Sequence, residues 1–453
     1  MIRSQPTDVI LHAFDWPYSQ VTERAQAIFE AGYKAVLVSP PMKSYRHDKG
    51  TPWWQRYQPQ DYRVIDNQLG NTESFQTMVS TLQRLDLWVY ADVVFNHMAN
   101  ESSLRLDLQY PSNKDLLAYR QQADYYQKQR LFGDLSQPLF TETDFVEAFG
   151  IENWQDKWQV QNGRISGGPH DPGLPSLRPN KHVVEFQQAY LQALKAMGVK
   201  GFRIDAAKHM SLEHLTLVWT EAITHDVHIF GEIITDGGAT KSEYQLFLEP
   251  YLAETRLGAY DFPLFQTVYN ALQPKGSLKR LIDPYCFGEA LSKERAITFA
   301  ITHDIPNNDV FIDLVMSADN EALAYSYILG RDGGVPLIYS DLNPSHLRDS
   351  EGCPRWLDAW CAPHIMAGIT FHNQMHGLPM TTIEASDDLL VFCRGDKGVV
   401  IINKSSRTQQ VELLWDQTLY DLSTGDAFLS SQGKVTINTP AKSSRMLSVV
   451  CES

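Results

Sequence analysis

Short apolar runs alternate with amphipathic helical segments along most of the chain, and this alternation limits the folds that it can adopt. Seven runs are strand candidates: residues 9–14, 34–39, 87–95, 201–205, 228–232, 296–302 and 337–339. Between them, apolar residues recur at helical spacing, and two of these helices are predicted to stop at glycines, Gly32 and Gly198. Strands that alternate with helices predict a parallel sheet with right-handed crossovers. With an eighth strand in the weaker stretch 257–262, the pattern predicts an α/β protein, a (β/α)8 TIM barrel.

Two segments interrupt this alternation and predict further domains. Residues 98–180 follow the third strand candidate and are too long for a βα loop, so they predict an inserted domain. From residue 377 the pattern changes to short alternating runs at 389–394, 398–403, 409–414, 434–439 and 444–450, which predict an antiparallel β domain. We therefore predict a barrel at 1–97 and 181–376, an inserted domain at 98–180 and a C-terminal β domain at 377–453.

The charge balance disfavours nucleic acid and membranes as partners. In the 453 residues, 54 Asp and Glu outnumber 39 Lys and Arg, and the resulting formal charge of −15 repels phosphate backbones and anionic lipid. No uninterrupted apolar run reaches the ~18 residues of a candidate membrane span. Nothing in the sequence sets the oligomeric state.

The cysteines and the first residues predict a cytoplasmic protein. The five cysteines form no C-x-x-C pair and are too few for a disulfide framework, so we expect reduced thiols. They are Cys286, Cys353, Cys361, Cys393 and Cys451. The first residues contain one early arginine, Arg3, but no apolar segment of signal-peptide length, so no signal peptide is predicted.

Polar residues stand at the carboxyl ends of four strand candidates, where the active site of such a barrel lies. Asp205, Glu232 and Asp304 end or follow three different apolar runs, and Arg203 lies two residues before Asp205. Taken singly, such an Asp is more often a helix N-cap or a turn residue. Three carboxylates at one rim would repel one another unless a reaction needed them. Glycoside hydrolysis needs a pair of carboxyl groups, one ionised and one protonated.

Four short motifs carry a resemblance to a known family. They are D-x-x-x-N-H at 92–97, G-F-R-I-D-A-A-K-H at 201–209, F-G-E at 230–232 and F-x-x-x-H-D at 299–304. In order and spacing they resemble the conserved regions of the α-amylase family of glycoside hydrolases. The resemblance covers the barrel and extends to the insertion, the family's domain B, and to the C-terminal β domain, its domain C.

The resemblance implies a role for each matching residue. Asp205 would be the nucleophile that forms a covalent glycosyl intermediate, Glu232 the general acid and then base, and Asp304 the residue that binds sugar hydroxyls and stabilises the transition state. Arg203 would lie under Asp205 and keep it ionised. The other matches would contact the sugar or support the rim: His97 and His303 at the cleavage subsite, Lys208 and His209 on the leaving-group side, and Asp92 in a supporting or a purely structural role.

A second, local resemblance concerns sugar stacking. The stretch P-W-W-Q-R-Y-Q-P at 52–59 is similar to one in animal-type members of the family. Aromatic rings bury the apolar faces of sugars. We expect Tyr57 to stack on the sugar at the cleavage point and Trp54 on the next sugar toward the non-reducing end. For Trp53, packing in the core is the expected role.

Two positions depart from the family's pattern and concern its ions. Thr302 stands where animal-type members place a chloride-binding asparagine, so chloride activation is not expected. The family's calcium is bound by the asparagine of the first motif, an aspartate in an L-P-D-L motif and the carbonyl of the histidine that ends the second. Asn96 and His209 match, but Ser176 replaces the aspartate. We expect at most a weakened calcium site, with Asp171 as a compensating ligand.

The combined expectation is a retaining α-amylase that acts on α-1,4-glucosidic bonds of starch, glycogen or maltooligosaccharides. A 4-α-glucanotransferase of the same family is the nearest alternative, because the same residues serve both reactions. The two differ in whether water or a sugar hydroxyl intercepts the intermediate. A non-catalytic glucan-binding protein is a third reading, and the presence of all three carboxylates argues against it.

Overall fold

Eight parallel strands close into a barrel at the centre of the structure, a computed structural model that describes residues 8–47 and 50–450. In chain order, and numbered β1 to β8, they are Ile10–Ala13, Ala35–Val38, Trp88–Val94, Gly201–Asp205, His228–Gly231, Gly258–Tyr260, Ala296–Phe299 and Val335–Ser340. Each strand pairs with its neighbours in the chain, and β8 pairs with β1 to close the barrel. The predicted (β/α)8 barrel is confirmed, and its weakest strand candidate is β6.

Helices surround the barrel and connect its strands. The α-helices outside the insertion are Tyr18–Glu30, Thr72–Arg84, Lys181–Met197, Leu212–Val218, Glu221–Thr224, Glu249–Glu254, Phe262–Leu272, Asp304–Asn307, Ala318–Gly330 and Pro363–Gln374. Shorter turns are the 3-10 helices Trp53–Tyr57, Ala207–His209, Leu278–Leu281, Ile312–Leu314 and Ala359–Cys361 and the π-helix Tyr244–Leu248.

The ends of helix Lys181–Met197 show how the sequence sets helix boundaries. At its start, the Asn180 side chain accepts a hydrogen bond from the Val183 N–H at 2.9 Å. At its end, Gly198 has a φ of +107°, in the left-handed region that residues with a Cβ rarely adopt. The backbone conformation therefore favours glycine. The predicted stop at Gly198 is confirmed, as is the one at Gly32, whose φ is +88°.

The segment between β3 and helix Lys181–Met197 folds as short helices and irregular loops against the barrel rim. Its helices are Asn113–Gln121, Ala123–Gln129 and Lys157–Asn162, with the 3-10 turn Glu142–Asp144. Its last part is tied to the end of β3, because Met98 N–H donates to the Pro175 carbonyl at 3.0 Å and Leu177 N–H to the Asn96 carbonyl at 2.9 Å. The insertion therefore forms one wall above the carboxyl ends of the barrel strands.

Two short strand pairs lie between β2 and β3. Lys43–Ser44 pairs with Pro59–Asp61, and Asp66–Asn67 pairs with Gly70–Asn71. The first pair encloses the 3-10 helix Trp53–Tyr57. The aromatic residues of this stretch are therefore held on a folded loop at the rim.

Antiparallel sheets form the region from Met380 to Ser448, as predicted from the alternating runs. The larger sheet has the strand order Met380–Ala385, Leu389–Arg394, Gly398–Asn403, Ser443–Ser448, Leu419–Asp421, Ala427–Phe428, and Gln409–Leu414 pairs with Lys434–Thr439. The first strand and the two shortest strands of the larger sheet were absent from the prediction. The first is largely exposed, and the others have two or three residues, so none shows an alternating apolar pattern.

Two cationic side chains join the C-terminal sheet to the barrel by binding the ends of helices. Arg394 donates to the carbonyls of Gly330, Arg331, Met375 and Leu378, at or just beyond two helix C-termini. Lys404 Nζ donates to three carbonyls at the end of helix Phe262–Leu272, at 2.7 to 3.0 Å. That of Ala271 lies in the last turn of the helix, and those of Gln273 and Gly276 lie just beyond it. Cations suit these positions, because the last carbonyls of a helix lack intrahelical partners and carry partial negative charge.

The described residues also bear on the expected compartment and partners. Within residues 8–47 and 50–450, no helix combines the length and the apolar character needed to cross a bilayer. Cys286, Cys353, Cys361 and Cys393 are free thiols. Cys451 lies outside the described part of the chain, as do residues 1–7, for which no signal peptide was predicted.

Lys404→Met is expected to lower the free energy of unfolding by about 2 to 3 kcal/mol, because three carbonyls lose one charged donor in a nearly buried site. The matched control is Lys434→Met, since Lys434 is exposed and pairs only with Glu412, and its change should stay below about 0.5 kcal/mol. Denaturant and thermal unfolding of both variants provide the measurement. Equal losses in the two variants would contradict the role assigned to Lys404.

Candidate active site

Three carboxyl groups meet in a cleft at the carboxyl ends of the barrel strands. Asp205 is the last residue of β4, Glu232 directly follows β5, and Asp304 lies five residues after β7. Parallel strands in a closed barrel end at the same rim, so residues far apart in the chain converge there. The cleft has a volume of about 720 Å³, and its lining includes all three carboxylates together with Trp54, Tyr57, His97, Lys208, His209 and His303.

Arg203 lies beneath the cleft and binds three acidic side chains at once. Its Nη1 donates to Asp92 and, at 3.2 Å, to Asp205, while its Nη2 donates to Glu232. Arg203 and Asp205 are two residues apart on β4 and therefore face the same side, and Asp92 is the register partner of Arg203 on β3. Arg203 is fully buried and is not part of the cleft lining, so it contacts these acids from beneath the cleft.

The pKa values of the site differ from the expected pattern at both Asp205 and Glu232. Burial raises the pKa of Asp205 well above its ordinary value, and the neighbouring acids add to this, although Arg203 acts in the opposite direction. Burial and the charge of Glu232 likewise raise the pKa of Asp304. For Glu232, burial is outweighed by Arg203 and by hydrogen bonds, so its pKa is lowered. In the site without substrate, a proton is therefore held more strongly by Asp304 than by Glu232.

Backbone and side-chain contacts fix the position of Glu232. Its Oε2 accepts a hydrogen bond from the Ala206 N–H at 3.0 Å, and a hydrogen bond joins its carboxyl group to that of Asp304. Ala206 has a φ of +49°, a left-handed conformation that is uncommon for a residue other than glycine. This turn directly after Asp205 directs an amide toward the neighbouring strand's carboxylate.

The aromatic residues predicted from the P-W-W-x-R-Y-Q-P stretch lie on one side of the cleft. The Tyr57 ring stacks on His303 with centroids 5.2 Å apart, and its hydroxyl donates to Asp92 at 2.9 Å. Trp54 is 39% exposed and stacks on Tyr45. Trp53 packs edge-on against Tyr57 and His303, which is the kind of contact expected of a core residue. It also lines the cleft.

The histidines of the cleft are uncharged near neutral pH, and they differ in which ring nitrogens have hydrogen-bond partners. Burial lowers the pKa of His97 and of His209 to about 4 and that of His303 well below its ordinary value. His97 uses both ring nitrogens within the protein, Nε2 toward the Tyr57 carbonyl at 3.0 Å and Nδ1 toward Asn96 at 3.3 Å. The buried Nδ1 of His303 has no hydrogen-bond partner. The other nitrogen of His303, Nε2, lies 3.5 Å from the Asp304 carboxylate of the cleft.

Several residues of the cleft were missed by the sequence analysis. Trp154 from the insertion is 48% exposed, lines the cleft and contacts His209 edge to face. Glu243 also lines the cleft and forms an ion pair with Lys208 at 3.0 Å. Val310 and Phe311 lie beyond Asp304. A tryptophan in an otherwise polar, aperiodic segment was the one signal that could have identified Trp154.

Two residues at the predicted calcium site have hydrogen-bond partners within the protein. Asp171 accepts hydrogen bonds from Asn100 Nδ2 at 2.5 Å and from the Gly173 N–H at 3.0 Å. Ser176, at the position of the family's aspartate, donates its hydroxyl to the Gly163 carbonyl at 3.1 Å. The side chains of Asp171 and Ser176 are therefore engaged in hydrogen bonds within the protein, and no step below depends on a calcium ion.

Comparisons with known proteins agree with this geometry. A model of the alpha-amylase catalytic domain matches residues 18–246. An alpha-amylase of Aeromonas hydrophila is 47% identical over 443 residues, which cover 96% of this chain and 94% of that protein. The solved structure of wild-type alpha-amylase I from Eisenia fetida aligns with a TM-score of 0.77 and 21% identity over 97% of both chains. The cyclomaltodextrin glucanotransferase CldA aligns with a TM-score of 0.70 and 19% identity over 95% of this chain and 90% of that one, and both likenesses concern the fold alone.

Arg203→Met is expected to destabilise the protein by about 3 to 5 kcal/mol at neutral pH, because three buried carboxyl groups lose their cation. The loss should be smaller near pH 5 and larger near pH 8. Without Arg203 the folded-state pKa values of Asp92 and Asp205 rise further above their unfolded values, and that of Glu232 rises from its lowered value. The folded variant must then take up protons, and its stability falls as the pH rises toward those values. Thermal unfolding across this pH range provides the measurement.

The matched control for this prediction is Arg63→Met. Arg63 is also buried, but it pairs with one carboxylate, Asp61, at 2.9 Å. Its loss should therefore show a weaker pH dependence than that of Arg203. A pH dependence in Arg203→Met no steeper than in the control would contradict the shared role of the guanidinium.

Proposed function

Because the chain belongs to the α-amylase family of glycoside hydrolases, we propose that it hydrolyses α-1,4-glucosidic bonds of starch, glycogen or maltooligosaccharides with retention of configuration. The observation that carries this proposal is the binding of Asp205 and Glu232 by one buried guanidinium at the floor of an open cleft. That arrangement holds the two carboxyl groups in a fixed relation, as glycoside hydrolysis by a carboxyl pair requires, and retention is proposed from membership of the family.

In the first step, the Asp205 carboxylate attacks the anomeric carbon from the face opposite the leaving group. The glycosidic C–O bond breaks while Glu232 donates its proton to the leaving oxygen, and a β-linked glycosyl ester forms on Asp205. In the second step, the Glu232 carboxylate takes a proton from water, and the oxygen of that water attacks the anomeric carbon. Asp205 leaves, and the product has the α configuration.

The proton needed by Glu232 comes from its partner Asp304. Their carboxyl groups are hydrogen-bonded, and the pKa of Asp304 is raised in the site without substrate. Sugar hydroxyls that donate to Asp304 stabilise its ionised form, so binding of substrate moves the shared proton to Glu232. The same hydrogen bonds hold the sugar in its distorted transition-state shape. Asp304 therefore couples substrate binding to the protonation of the general acid.

Tyr57 and His303 form the wall for the sugar at the cleavage point, and Trp54 lies further out for the next sugar toward the non-reducing end. His97 supports the Tyr57 backbone, while Lys208 and His209 line the leaving-group side with Trp154. Asp92 binds both Arg203 and Tyr57, and burial raises its pKa to about 6. Its role is to position these two residues.

The division into a barrel, an inserted domain at 98–180 and a C-terminal domain from 377 belongs to this proposal. The ties of the insertion to the end of β3 and the helix-capping contacts of Arg394 and Lys404 support these boundaries. The proposed compartment is the cytoplasm, supported by four free thiols in the described residues.

A time course with a defined maltooligosaccharide tests hydrolysis against transfer. We expect only products shorter than the substrate, because an open cleft admits water to the glycosyl intermediate. The reaction is repeated with an excess of an acceptor sugar, and Glu232→Gln is the inactive control. Products longer than the substrate as the main species would instead support a 4-α-glucanotransferase. No change in the substrate with wild-type protein would support a non-catalytic glucan-binding protein.

Azide rescue distinguishes the nucleophile from the acid/base. Glu232→Ala should lose about 10²- to 10⁴-fold in rate on glucan but retain activity on a substrate with an activated leaving group. Azide should then attack the β-linked intermediate and give the α-glycosyl azide. Asp205→Ala forms no intermediate, so azide can only displace the leaving group directly and give the β-glycosyl azide. The same azide stereochemistry from both variants would contradict these assignments.

A further inference from the structure

A second cluster of ionisable side chains lies at the opposite end of the barrel from the cleft. Asp8 precedes β1 by two residues, where that strand enters the barrel, and His372 lies on helix Pro363–Gln374, which follows β8. His376 lies four residues after His372, just beyond the end of that helix. The cluster therefore joins the beginning of the barrel to its last helix.

The possible metal-ligand atoms of the three side chains lie close together. Asp8 Oδ1 is 2.7 Å from His372 Nε2, and Asp8 Oδ2 is 2.8 Å from His376 Nδ1. The candidate ligand atoms of all three residues lie within 4.8 Å of one another. Among the described residues, this is the group of His, Cys, Asp and Glu that has metal-binding spacing.

The second ring nitrogen of His372 determines which atom faces Asp8. Its Nδ1 lies 3.1 Å from the Leu329 carbonyl, which can only accept, so Nδ1 carries a hydrogen. In a neutral ring, Nε2 then presents a lone pair to the Asp8 carboxylate, and two electron-rich atoms face each other. A cation between them removes this repulsion. Histidine ligands of metals commonly donate their other N–H to a backbone carbonyl in this manner.

We propose that Asp8, His372 and His376 bind one divalent transition-metal ion of the zinc type. Two imidazoles and one carboxylate are ligands that Zn²⁺ accepts, whereas Ca²⁺ prefers oxygen alone. The side chain of His376 is 73% exposed, so an ion has a route from solvent and a fourth position remains open to water. Leu329 supplies the outer contact that orients His372.

One positive charge near the cluster opposes the ion. Arg394 interacts electrostatically with Asp8, but its N–H groups donate to helix-end carbonyls. It therefore weakens the site without occupying the carboxylate. The ion would join the start of β1 to helix Pro363–Gln374, so its effect is expected on stability and not on the rate of glucan cleavage.

The test uses the full-length, untagged protein after removal of metals with a chelator. Calorimetric titration with ZnCl2 near neutral pH should give one ion per chain, and zinc at about a hundredfold excess over its dissociation constant should raise the melting temperature by about 3 °C. Co²⁺ should give the visible absorption of a site with nitrogen ligands.

Variants distinguish this site from other sources of binding. His376→Gln alters an exposed side chain, so it should fold normally and weaken zinc binding at least about tenfold. Asp8→Asn should weaken it similarly. His364→Asn, on the same helix but outside the cluster, and Glu232→Gln, in the cleft, should bind zinc as the wild type does.

Three outcomes would overturn the proposal. The first is the absence of zinc binding by the wild type. The second is binding unchanged in both His376→Gln and Asp8→Asn, or lost in Glu232→Gln. The third is an NMR spectrum with zinc in excess in which both nitrogens of His372 still carry hydrogens, because a proton would then occupy the place of the metal.

Discussion

Arg203 places a single positive charge among the carboxyl groups of Asp92, Asp205 and Glu232, all of which are largely buried. Without that charge, burial and mutual repulsion would keep these acids protonated. With it, the acids can differ in protonation, which is what a nucleophile and a general acid require. The guanidinium is rigid and planar, so it also sets where each carboxyl group lies. The Arg203 guanidinium therefore sets both the protonation of the three carboxyl groups and their positions at the floor of the cleft.

The barrel makes this arrangement possible because neighbouring parallel strands hold their side chains in register. Arg203 on β4 pairs with Asp92 on β3, and the next strand brings Glu232 to the same rim. The remaining parts of the chain add to the rim or support the barrel from outside. The insertion contributes Trp154 as a wall of the cleft, and the C-terminal sheet caps helix ends through Arg394 and Lys404. A site made from separate strands thus depends on contacts that lie far from it.

The rim combines a charged floor with neutral, aromatic walls. His97, His209 and His303 remain uncharged because burial lowers the pKa of each. Rings such as Tyr57 and Trp54 offer apolar faces to a sugar without adding charge. The formal charge of the carboxylates is therefore opposed mainly by Arg203, and Lys208 is engaged with Glu243. The strong electrostatic effects stay at the floor, where bond breaking is proposed to occur.

Much of this protein could be predicted from the sequence. The strand and helix periodicities predicted the barrel, and four short motifs identified Asp205, Glu232 and Asp304, because local apolar spacing and strand-end residues are readable in the chain itself. Tertiary structure decided what depends on distances between strands. It placed Arg203 against Glu232 as well as Asp205, which lowers the pKa of Glu232. It also used both nitrogens of His97 within the protein and brought Trp154 into the cleft. Charge coupling and burial arise only when segments far apart in the chain share one low-dielectric space, so they could not be read from residue types or spacing.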